Sequence, residues 1–412
     1  MLIQKRWVQA LGALVVALLA VMVLDRLTNR LVPEEVPGHV WDYMYYIDMA
    51  EHGVWGNPHL VSPYAYRFVT PLLARAINQA LGTPTYIGFK LLAYLGLVGM
   101  LWGVYFLARH FRLKYTLSLL VMLIPALALF QVKFLLFDFY RPDQLAYPLM
   151  VFCLLAMLKR RYWLAAGLAV IGLFVREFLI IPVPILLYLF GREWWQNKRR
   201  LVPLVWAGLL ILVTLAALAA PRLLIPVVKT QQYLDPLRYR TFLRVILRMT
   251  FDLKRDVNVI YNLVAYALPL ILLATPERLK RAWQALGEYR AWMVIYVLVC
   301  LFETMYGGAD LERFVTFFFI PQSLLLIFIF QQGVVSLHEV IYMVIAMVIF
   351  NRLLYPFPIW DFTAYLNFYG GYGDFLSTAS LLRWLELVGL ILGGLLLRWT
   401  WERLFPAQAV RL

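Results

Sequence analysis

Residues 7–24 read WVQALGALVVALLAVMVL, a run of eighteen residues without a charge, and they directly follow Lys5 and Arg6. A run of this length and composition predicts a helix that spans a membrane. Basic residues before an apolar run also begin secretory signal peptides. No small-residue cleavage site is evident where Asp25-Arg-Leu-Thr28 follows, so the sequence favours a first helix that is retained.

The composition of the whole chain agrees with that first segment. Of the 412 residues 63% are hydrophobic and only 15% are charged, a balance that excludes a soluble domain. We therefore expect an all-α polytopic membrane protein that forms a single domain over residues 1–412. Apolar runs predict about twelve transmembrane helices, over residues 7–24, 86–108, 115–132, 144–158, 162–175, 178–191, 201–220, 257–274, 291–306, 314–331, 335–350 and 380–398.

The distribution of charge predicts the orientation of these helices. If the N-terminus is cytoplasmic, the inner segments hold 19 of the 38 basic residues but only 5 of the 23 acids. The net charge of +15 then reflects topology in a plasma (inner) membrane, with both termini cytoplasmic, and not a nucleic-acid surface. Three long segments remain outside, at about 25–85, 221–256 and 351–379, and amphipathic helices are expected in them.

The first outer segment contains Trp41-Asp-Tyr-Met-Tyr-Tyr-Ile-Asp48. A helix there would place Asp42, Tyr45 and Tyr46 on one face, with Asp48 about 120° away. A carboxylate among aromatic rings can act as a general base, so Asp42 is the first catalytic candidate and Asp48 the second. The alternatives are a structural hydrogen bond or helix cap for Asp48, and an interfacial aromatic helix for the whole stretch.

Arginines on the same predicted side of the membrane, the outer side, are candidate ligands for a phosphate. Arg67 ends Pro63-Tyr-Ala-Tyr-Arg67, and Arg141 lies in Asp138-Phe-Tyr-Arg-Pro-Asp143. The planar guanidinium group suits phosphate, but either arginine can equally form a structural ion pair with a nearby acid. We interpret Arg176-Glu177 as structural, because an adjacent Arg and Glu can pair with neighbouring residues and close a hairpin, and buried charges are usually paired.

Two later segments add further candidates. Arg240, Arg244 and Arg248 recur every four residues among apolar side chains, which predicts an amphipathic helix that grips a lipid phosphate or anchors at the interface. Glu312-Arg313 follows a Gly-Gly turn, and Arg313 is a candidate phosphate ligand that Glu312 holds in position.

Nucleotide-binding and metal-binding motifs are not evident in the sequence. It has no Walker loop, no His-Glu-x-x-His and no Cys metal set, and its five histidines are scattered. We therefore predict no metal site and no cofactor.

At these residues the chain resembles the GT-C superfamily of integral-membrane glycosyltransferases. The matching elements are the many spans and Asp42 with Tyr45 and Tyr46 in the large loop after the first span. Glu312-Arg313-Phe314 with Pro321 is similar to a late Glu-x-Arg-Phe…Pro element of some mannosyltransferases, although here no residue separates Glu and Arg.

The resemblance implies a GT-C-like fold and transfer of a sugar from a polyprenyl-phosphate-linked donor to a glycan, lipid or protein acceptor. Asp42 would be the general base, outer arginines would hold the donor phosphate, and the site would face away from the cytoplasm. The alternatives are a transporter or flippase of lipid-linked saccharides, and a polysaccharide polymerase or ligase. Transporters often contain internal repeats and broken helices, and the sequence has no clear repeat.

Overall fold

A computed structural model describes residues 2–31, 42–196, 201–227, 229–230, 246–307, 311–357 and 377–404. Over these residues the protein is almost entirely helical, which confirms the expected all-α class. The strands that they contain are β1 (Val61–Ser62) and β2 (Lys229–Thr230), which pair in parallel with Val61 opposite Lys229.

Within the described residues, the N-terminal half contains ten α-helices. They are α1 (Leu2–Arg26), α2 (Tyr43–His52), α3 (Val69–Leu81), α4 (Thr85–His110), α5 (Tyr115–Leu123), α6 (Phe134–Phe137), α7 (Asp143–Leu158), α8 (Tyr162–Leu173), α9 (Pro182–Gln196) and α10 (Val202–Leu224). Short helical turns connect several of them: 3-10 turns at Tyr64–Tyr66, Ile124–Leu127 and Glu177–Ile180, and a π-helical turn at Leu129–Lys133.

The C-terminal half continues in the same way. Its helices are α11 (Leu253–Tyr266), α12 (Leu268–Leu273), α13 (Pro276–Ala285), α14 (Arg290–Tyr306), α15 (Leu311–Phe314), α16 (Phe319–Gln331), α17 (Leu337–Phe350) and α18 (Thr378–Leu404). A 3-10 turn, Gly287–Tyr289, precedes α14, and another, Val315–Phe318, joins α15 to α16.

Seven helical stretches of the described chain are long and apolar enough to cross a membrane, or eight if one bent pair counts as a single span. The protein is therefore a polytopic membrane protein, with fewer spans by this measure than the predicted twelve. One reason is length, since the 16-residue α7 would extend only about 24 Å and a bilayer core is about 30 Å thick. Another is a break near Pro269, which divides the predicted span 257–274 into α11 and α12.

The closest helix packing is between α4 and α7. A Cβ added to Gly96 would lie 2.1 Å from the backbone oxygen of Gln144, and one added to Gly103 would lie 2.2 Å from Val151 Cγ1. Small residues allow membrane helices to approach in this way. The contact at Gly96 fixes the first turn of α7, where Asp143 begins the helix.

The bent pair runs from Tyr115 to Phe137 and turns by 76° at its break. Pro125 in the 3-10 turn cannot donate a backbone hydrogen bond, which accounts for a break here. Beyond the break, the buried Lys133 Nζ donates to the backbone oxygens of Arg352 (3.1 Å) and Leu353 (2.8 Å), just past α17. These two hydrogen bonds fix the direction in which the chain enters the turn at Asp138.

A second set of ion pairs lies at the other end of the α15–α16 span, about 30 Å from Arg313 along the helix axis. Glu339 at the start of α17 accepts hydrogen bonds from Arg278 at 2.8 Å and from Arg398 at 2.6 Å. The two arginines also donate to backbone oxygens at nearby helix ends. The contacts join α13, α17 and α18 at that end.

Candidate functional site

Four arginines and four acids from separate parts of the chain form one charge cluster. The charge cluster consists of Asp42, Arg67, Asp138, Arg141, Asp143, Arg176, Glu177 and Arg313. These residues lie at helix ends and in turns, where apolar segments leave or enter the membrane-spanning part of the fold. Charges in such surroundings are costly unless they are paired or face an aqueous cavity, and they are functional candidates for that reason.

Asp42 immediately precedes α2 but does not cap it, since its side chain accepts no hydrogen bond from the first turn of the helix. The buried face of α2, which includes Tyr43 and Tyr46, fixes the helix against its neighbours. The carboxylate is turned towards two arginines: Asp42 Oδ2 lies 2.8 Å from Arg141 Nη1 and 3.8 Å from Arg313 Nη1. The Asp42 side chain remains 23% exposed, so solvent or a ligand can reach it.

The arginines around Asp42 determine its protonation state. Burial raises the pKa of Asp42, but the positive charges of Arg141, Arg313 and Arg67 outweigh burial, and a hydrogen bond from Tyr64 adds to their effect. The pKa of Asp42 is therefore below the ordinary value of 3.8. The carboxylate is ionised at neutral pH and can accept a proton.

Arg141 connects Asp42 to a second acid. Its Nε donates to Asp138 Oδ2 across the turn that ends at Pro142, and the Asp138 side chain is fully buried. Burial raises the pKa of Asp138, while the charge of Arg141 acts in the opposite direction. The guanidinium of Arg141 thus bridges a buried acid on one side and the accessible Asp42 on the other.

Asp143 connects two further arginines. Arg313 Nη2 donates to Asp143 Oδ2 at 2.7 Å, and Arg176 Nε lies 3.5 Å from Asp143 Oδ1. All three residues are at most 4% exposed. Because α15 supplies Arg313 and α7 supplies Asp143, these contacts join the two halves of the chain at the cluster.

The last part of the cluster is built around Arg67. Its Nε donates to both oxygens of Glu177, at 3.0 and 2.9 Å, and its Nη1 donates to Tyr46 Oη at 3.1 Å. Burial raises the pKa of the Tyr46 phenol, so it stays protonated. Tyr45, on the same helix, stacks on Tyr64 with 4.7 Å between ring centroids. The stacked rings of Tyr45 and Tyr64 form an aromatic surface beside Asp42 and Arg67.

The structure therefore brings together most of the site residues predicted from the sequence: Asp42, Tyr45, Tyr46, Arg67, Arg141 and Arg313. Asp48 faces elsewhere, where Asn57 Nδ2 donates to it at 2.6 Å and His52 Nδ1 lies 3.0 Å away. Those contacts are structural hydrogen bonds, which is the alternative role given for Asp48. A catalytic role for Asp48 stays a prediction.

Glu312 is the other predicted residue that the cluster does not include. It lines a cavity of about 50 Å³ together with Tyr261, Asn351 and Arg383. Arg313 is paired with Asp143 of α7, and a role of Glu312 in holding Arg313 stays a prediction. Arg240 and Arg244 lie outside the described residues.

Sequence reasoning interpreted Asp138, Asp143, Arg176 and Glu177 as parts of local ion pairs. Asp138 does pair locally, with Arg141. The structure connects Glu177 to Arg67 and Asp143 to Arg313, both from distant segments. The signal that could have found them is their position, because all four stand at the ends of apolar runs on the same predicted face.

Clusters of metal-ligating side chains are absent from the part of the chain that the structure describes. It contains no group of three or more His, Cys, Asp or Glu side chains placed to hold a metal ion. In the charge cluster an arginine stands between successive acids, so the carboxylates are neutralised by guanidinium groups.

The structure is that of a polytopic helical membrane protein with a polar site. It has helices of membrane-spanning length, and the charge cluster lies at one end of several of them. Comparison with protein-family models, curated proteins and solved structures finds no match to this chain.

The Arg141 bridge leads to a prediction about stability. Arg141→Gln leaves Asp138 buried without its cation and should reduce stability by about 3–5 kcal/mol, the usual cost of breaking a buried ion pair. Asp138→Asn removes the need for that cation, so Arg141→Gln should cost much less in an Asp138→Asn background. Thermal unfolding in detergent of the wild type, both single variants and the double variant measures the coupling. If the losses of stability in the two single variants simply add up in the double variant, Arg141 does not stabilise the protein through Asp138.

Proposed function

We propose that this protein is a GT-C-type membrane glycosyltransferase that moves a hexosyl or pentosyl group from a polyprenyl-phosphate-linked donor to a glycan, lipid or protein acceptor. One observation carries the proposal: the accessible carboxylate of Asp42 stands beside arginines from two other segments, Arg141 and Arg313, at a polar site among membrane helices. Sugar transfer from a lipid phosphate requires this combination of a base and cations.

In the proposed reaction, Asp42 accepts the proton of the acceptor hydroxyl as its oxygen bonds to the anomeric carbon. The bond between that carbon and the phosphate oxygen breaks, and the polyprenyl phosphate leaves with the bonding electrons. Arg67, Arg141 and Arg313 stabilise the charge that develops on the phosphate. Tyr45 lines the sugar side, since the apolar faces of sugars pack well on aromatic rings. Tyr46 is fully buried and accepts a hydrogen bond from Arg67, so it holds that arginine in position.

A groove for a lipid chain lies on helices that lead to the cluster, although no residue of the charge cluster lines it. A groove of about 560 Å³ lies between α8, α9 and α10, and Trp163, Val170 and Trp206 are among its lining residues. The segment Arg176–Glu177 lies in the connection between α8 and α9. A polyprenyl chain in this groove would lie along the helices that flank the cluster.

The finer topology is part of the proposal. The shorter apolar helices α7, α8 and α17, together with the seven or eight stretches of spanning length, would bring the number of spans towards twelve. The protein would lie in the plasma (inner) membrane with both termini cytoplasmic and Asp42 extracytoplasmic, in agreement with the excess of basic residues in the predicted inner segments.

A transporter or flippase of lipid-linked saccharides is the second candidate. The 76° break between Tyr115–Leu127 and Leu129–Phe137 favours it, because transporters often form their substrate sites at broken helices. A polysaccharide polymerase or ligase would use the same base and cations as the transferase and differs from it only in the acceptor.

The central test is Asp42→Asn, which keeps the shape of the side chain and removes its basicity. We expect sugar transfer from a labelled polyprenyl-phosphate donor in proteoliposomes to fall by about 10²–10⁴-fold, the usual contribution of a general base. The matched control is Asp48→Asn, which changes an aspartate six residues away whose contacts are His52 and Asn57. It should retain most of the activity.

A folded Asp42→Asn protein with nearly full transfer activity would remove Asp42 from the mechanism. Movement of the labelled donor across the proteoliposome membrane, measured in the same preparations, separates the second candidate. Donor movement by the wild type without sugar transfer to any offered acceptor would favour the flippase.

The ionisation of Asp42 predicts the pH dependence of transfer. A lowered pKa means that Asp42 stays deprotonated as the pH falls, until the pH is below the ordinary aspartate value of 3.8. The same group contributes stability above that value and loses it as the pH falls through its lowered pKa. Transfer rates should therefore be insensitive to Asp42 protonation between pH 8 and about pH 5. The pH profile of wild type is compared with that of an Asp42→Glu variant, which is expected to be slower. A loss of activity near pH 6 in wild type that is absent from Asp42→Glu would contradict this assignment.

The proposed orientation can be tested with single cysteines. His59→Cys places a thiol in the first large loop, and Gln284→Cys places one in α13, both at exposed positions. Cys153 and Cys300 are buried and are replaced in the background. An impermeant maleimide should label His59→Cys in intact cells and Gln284→Cys only after lysis. The reverse pattern would place Asp42 on the cytoplasmic side and exclude the proposed donor geometry.

A further inference from the structure

The groove between α8, α9 and α10 has a charged end that the proposed sugar transfer does not use. Its lining residues are apolar, aromatic or glycine except for Arg160, just before α8, and Glu193, near the end of α9. Arg176 of the charge cluster, by contrast, follows α8 and precedes α9. Because α8 has 12 residues, it separates the charged end of the groove from the cluster end by about 18 Å.

Both charges at this end are available to a ligand. Arg160 and Glu193 are exposed, and within the described chain neither side chain forms an ion pair or a hydrogen bond. Arg192, next to Glu193, pairs instead with Glu288 at 3.0 Å. The backbone φ of Arg160 is 56°, where glycine is the usual residue, so the turn itself does not require an arginine. A cation and an anion thus line one end of the groove without neutralising each other.

We propose that this groove binds a zwitterionic phospholipid with a primary ammonium group, phosphatidylethanolamine. The lipid phosphate accepts hydrogen bonds from Arg160, the ammonium group donates to Glu193, and an acyl chain lies along the apolar part of the groove. The inference goes beyond the proposed glycosyltransferase function and does not rest on it, because it uses neither Asp42 nor the charge cluster. The phospholipid occupies the groove suggested for the polyprenyl chain, so the two lipids compete for it.

Charge complementarity favours this lipid over an anionic one. The phosphate of an anionic phospholipid can neutralise Arg160, but it leaves Glu193 next to a like charge. A zwitterionic headgroup supplies an opposite charge to each residue. The rest of the groove suits an acyl chain, since its volume of about 560 Å³ is typical of a ligand site and its walls are mostly apolar. Trp163, exposed beside Arg160, is the residue type that lies at headgroup level in membranes.

The experiment compares binding of phosphatidylethanolamine and phosphatidylglycerol with identical acyl chains to the delipidated full chain in detergent, by native mass spectrometry. Wild type should prefer phosphatidylethanolamine by about two- to fivefold, the effect of one exposed ion pair. Glu193→Gln should weaken phosphatidylethanolamine alone and remove the preference. Arg160→Gln should weaken both lipids, since both contain a phosphate. The matched controls Glu277→Gln and Lys280→Gln change exposed charges on α13 and should bind as wild type does.

A second pair of variants tests whether the acyl chain lies in the groove. Gly167 lines the groove, whereas Gly208 is an exposed residue of α10 outside its lining. A Cβ added at either glycine has no neighbouring atom within 4 Å, and leucine favours a helix more than glycine does, so both leucine variants should fold. Gly167→Leu should weaken both lipids by about fivefold or more, because its side chain fills the groove. Gly208→Leu should leave binding unchanged.

Equal binding of the two lipids by wild type, or a preference for phosphatidylglycerol, would overturn the inference. An unchanged preference in Glu193→Gln or full binding by Gly167→Leu would also overturn it. Sugar-transfer assays on the same preparations separate this inference from the proposed function. Phosphatidylethanolamine binding that depends on Glu193 and Gly167, in a protein without transfer activity, supports the lipid site and rejects the transferase. Transfer activity without such binding has the opposite meaning.

Discussion

The charge cluster depends on one constraint, which is that a charge taken out of water needs an opposite charge close by. Arg141, Arg176 and Arg313 are each at most 4% exposed, and each has at least one acid within 3.5 Å. Isolated, any of them would carry a large desolvation penalty among apolar helices. The positions of α2, α7 and α15 relative to one another therefore follow from charge pairing as well as from apolar packing. The broken span and the close α4–α7 contact hold the turns that supply those charges.

A polar site that is almost neutral has a chemical advantage for a charged substrate. Each cation of the cluster is positioned in advance by an acid, so no large rearrangement is needed when a new negative charge develops. Asp42 is the exception among the aspartates of the cluster, because it is both ionised and accessible. Asp138, fully buried behind Arg141, holds the bridge and does not reach solvent. The same residue type is thus buried and supporting in one position, and accessible and ionised in the other.

Much of this arrangement can be predicted from the sequence, and the physical reason differs from part to part. Apolar runs identify the helices because length and hydropathy are local properties. Helical periodicity separates Asp42 from Asp48 for the same reason, and the two side chains do face different partners. The number of spans is harder, because breaks such as those near Ala128 and Pro269 depend on tertiary contacts as well as on composition.

Pairing between distant charges is the part that sequence alone does not determine. Arg176 and Glu177 are adjacent, and the sequence predicts that both pair with neighbouring residues, but it does not say which. Adjacent residues on an extended segment point in different directions. Glu177 pairs with Arg67, and Arg176 approaches Asp143. In the same way Arg313 pairs with Asp143 of α7, which is 170 residues away in the sequence. Only the packing of the helices decides which of the charges on one face become neighbours.

The spacing of the cluster along the chain has a consequence for how the protein is made. Asp42 is separated from Arg141 by 99 residues, Arg67 from Glu177 by 110, and Asp143 from Arg313 by 170. A growing chain that ends after α7 contains Arg67 and Arg141 but lacks both arginines that contact Asp143, Arg176 and Arg313. Arg176 follows α8, and Arg313 is added only with α15. The pairing of Asp143 is therefore completed only after both halves of the chain have been synthesised.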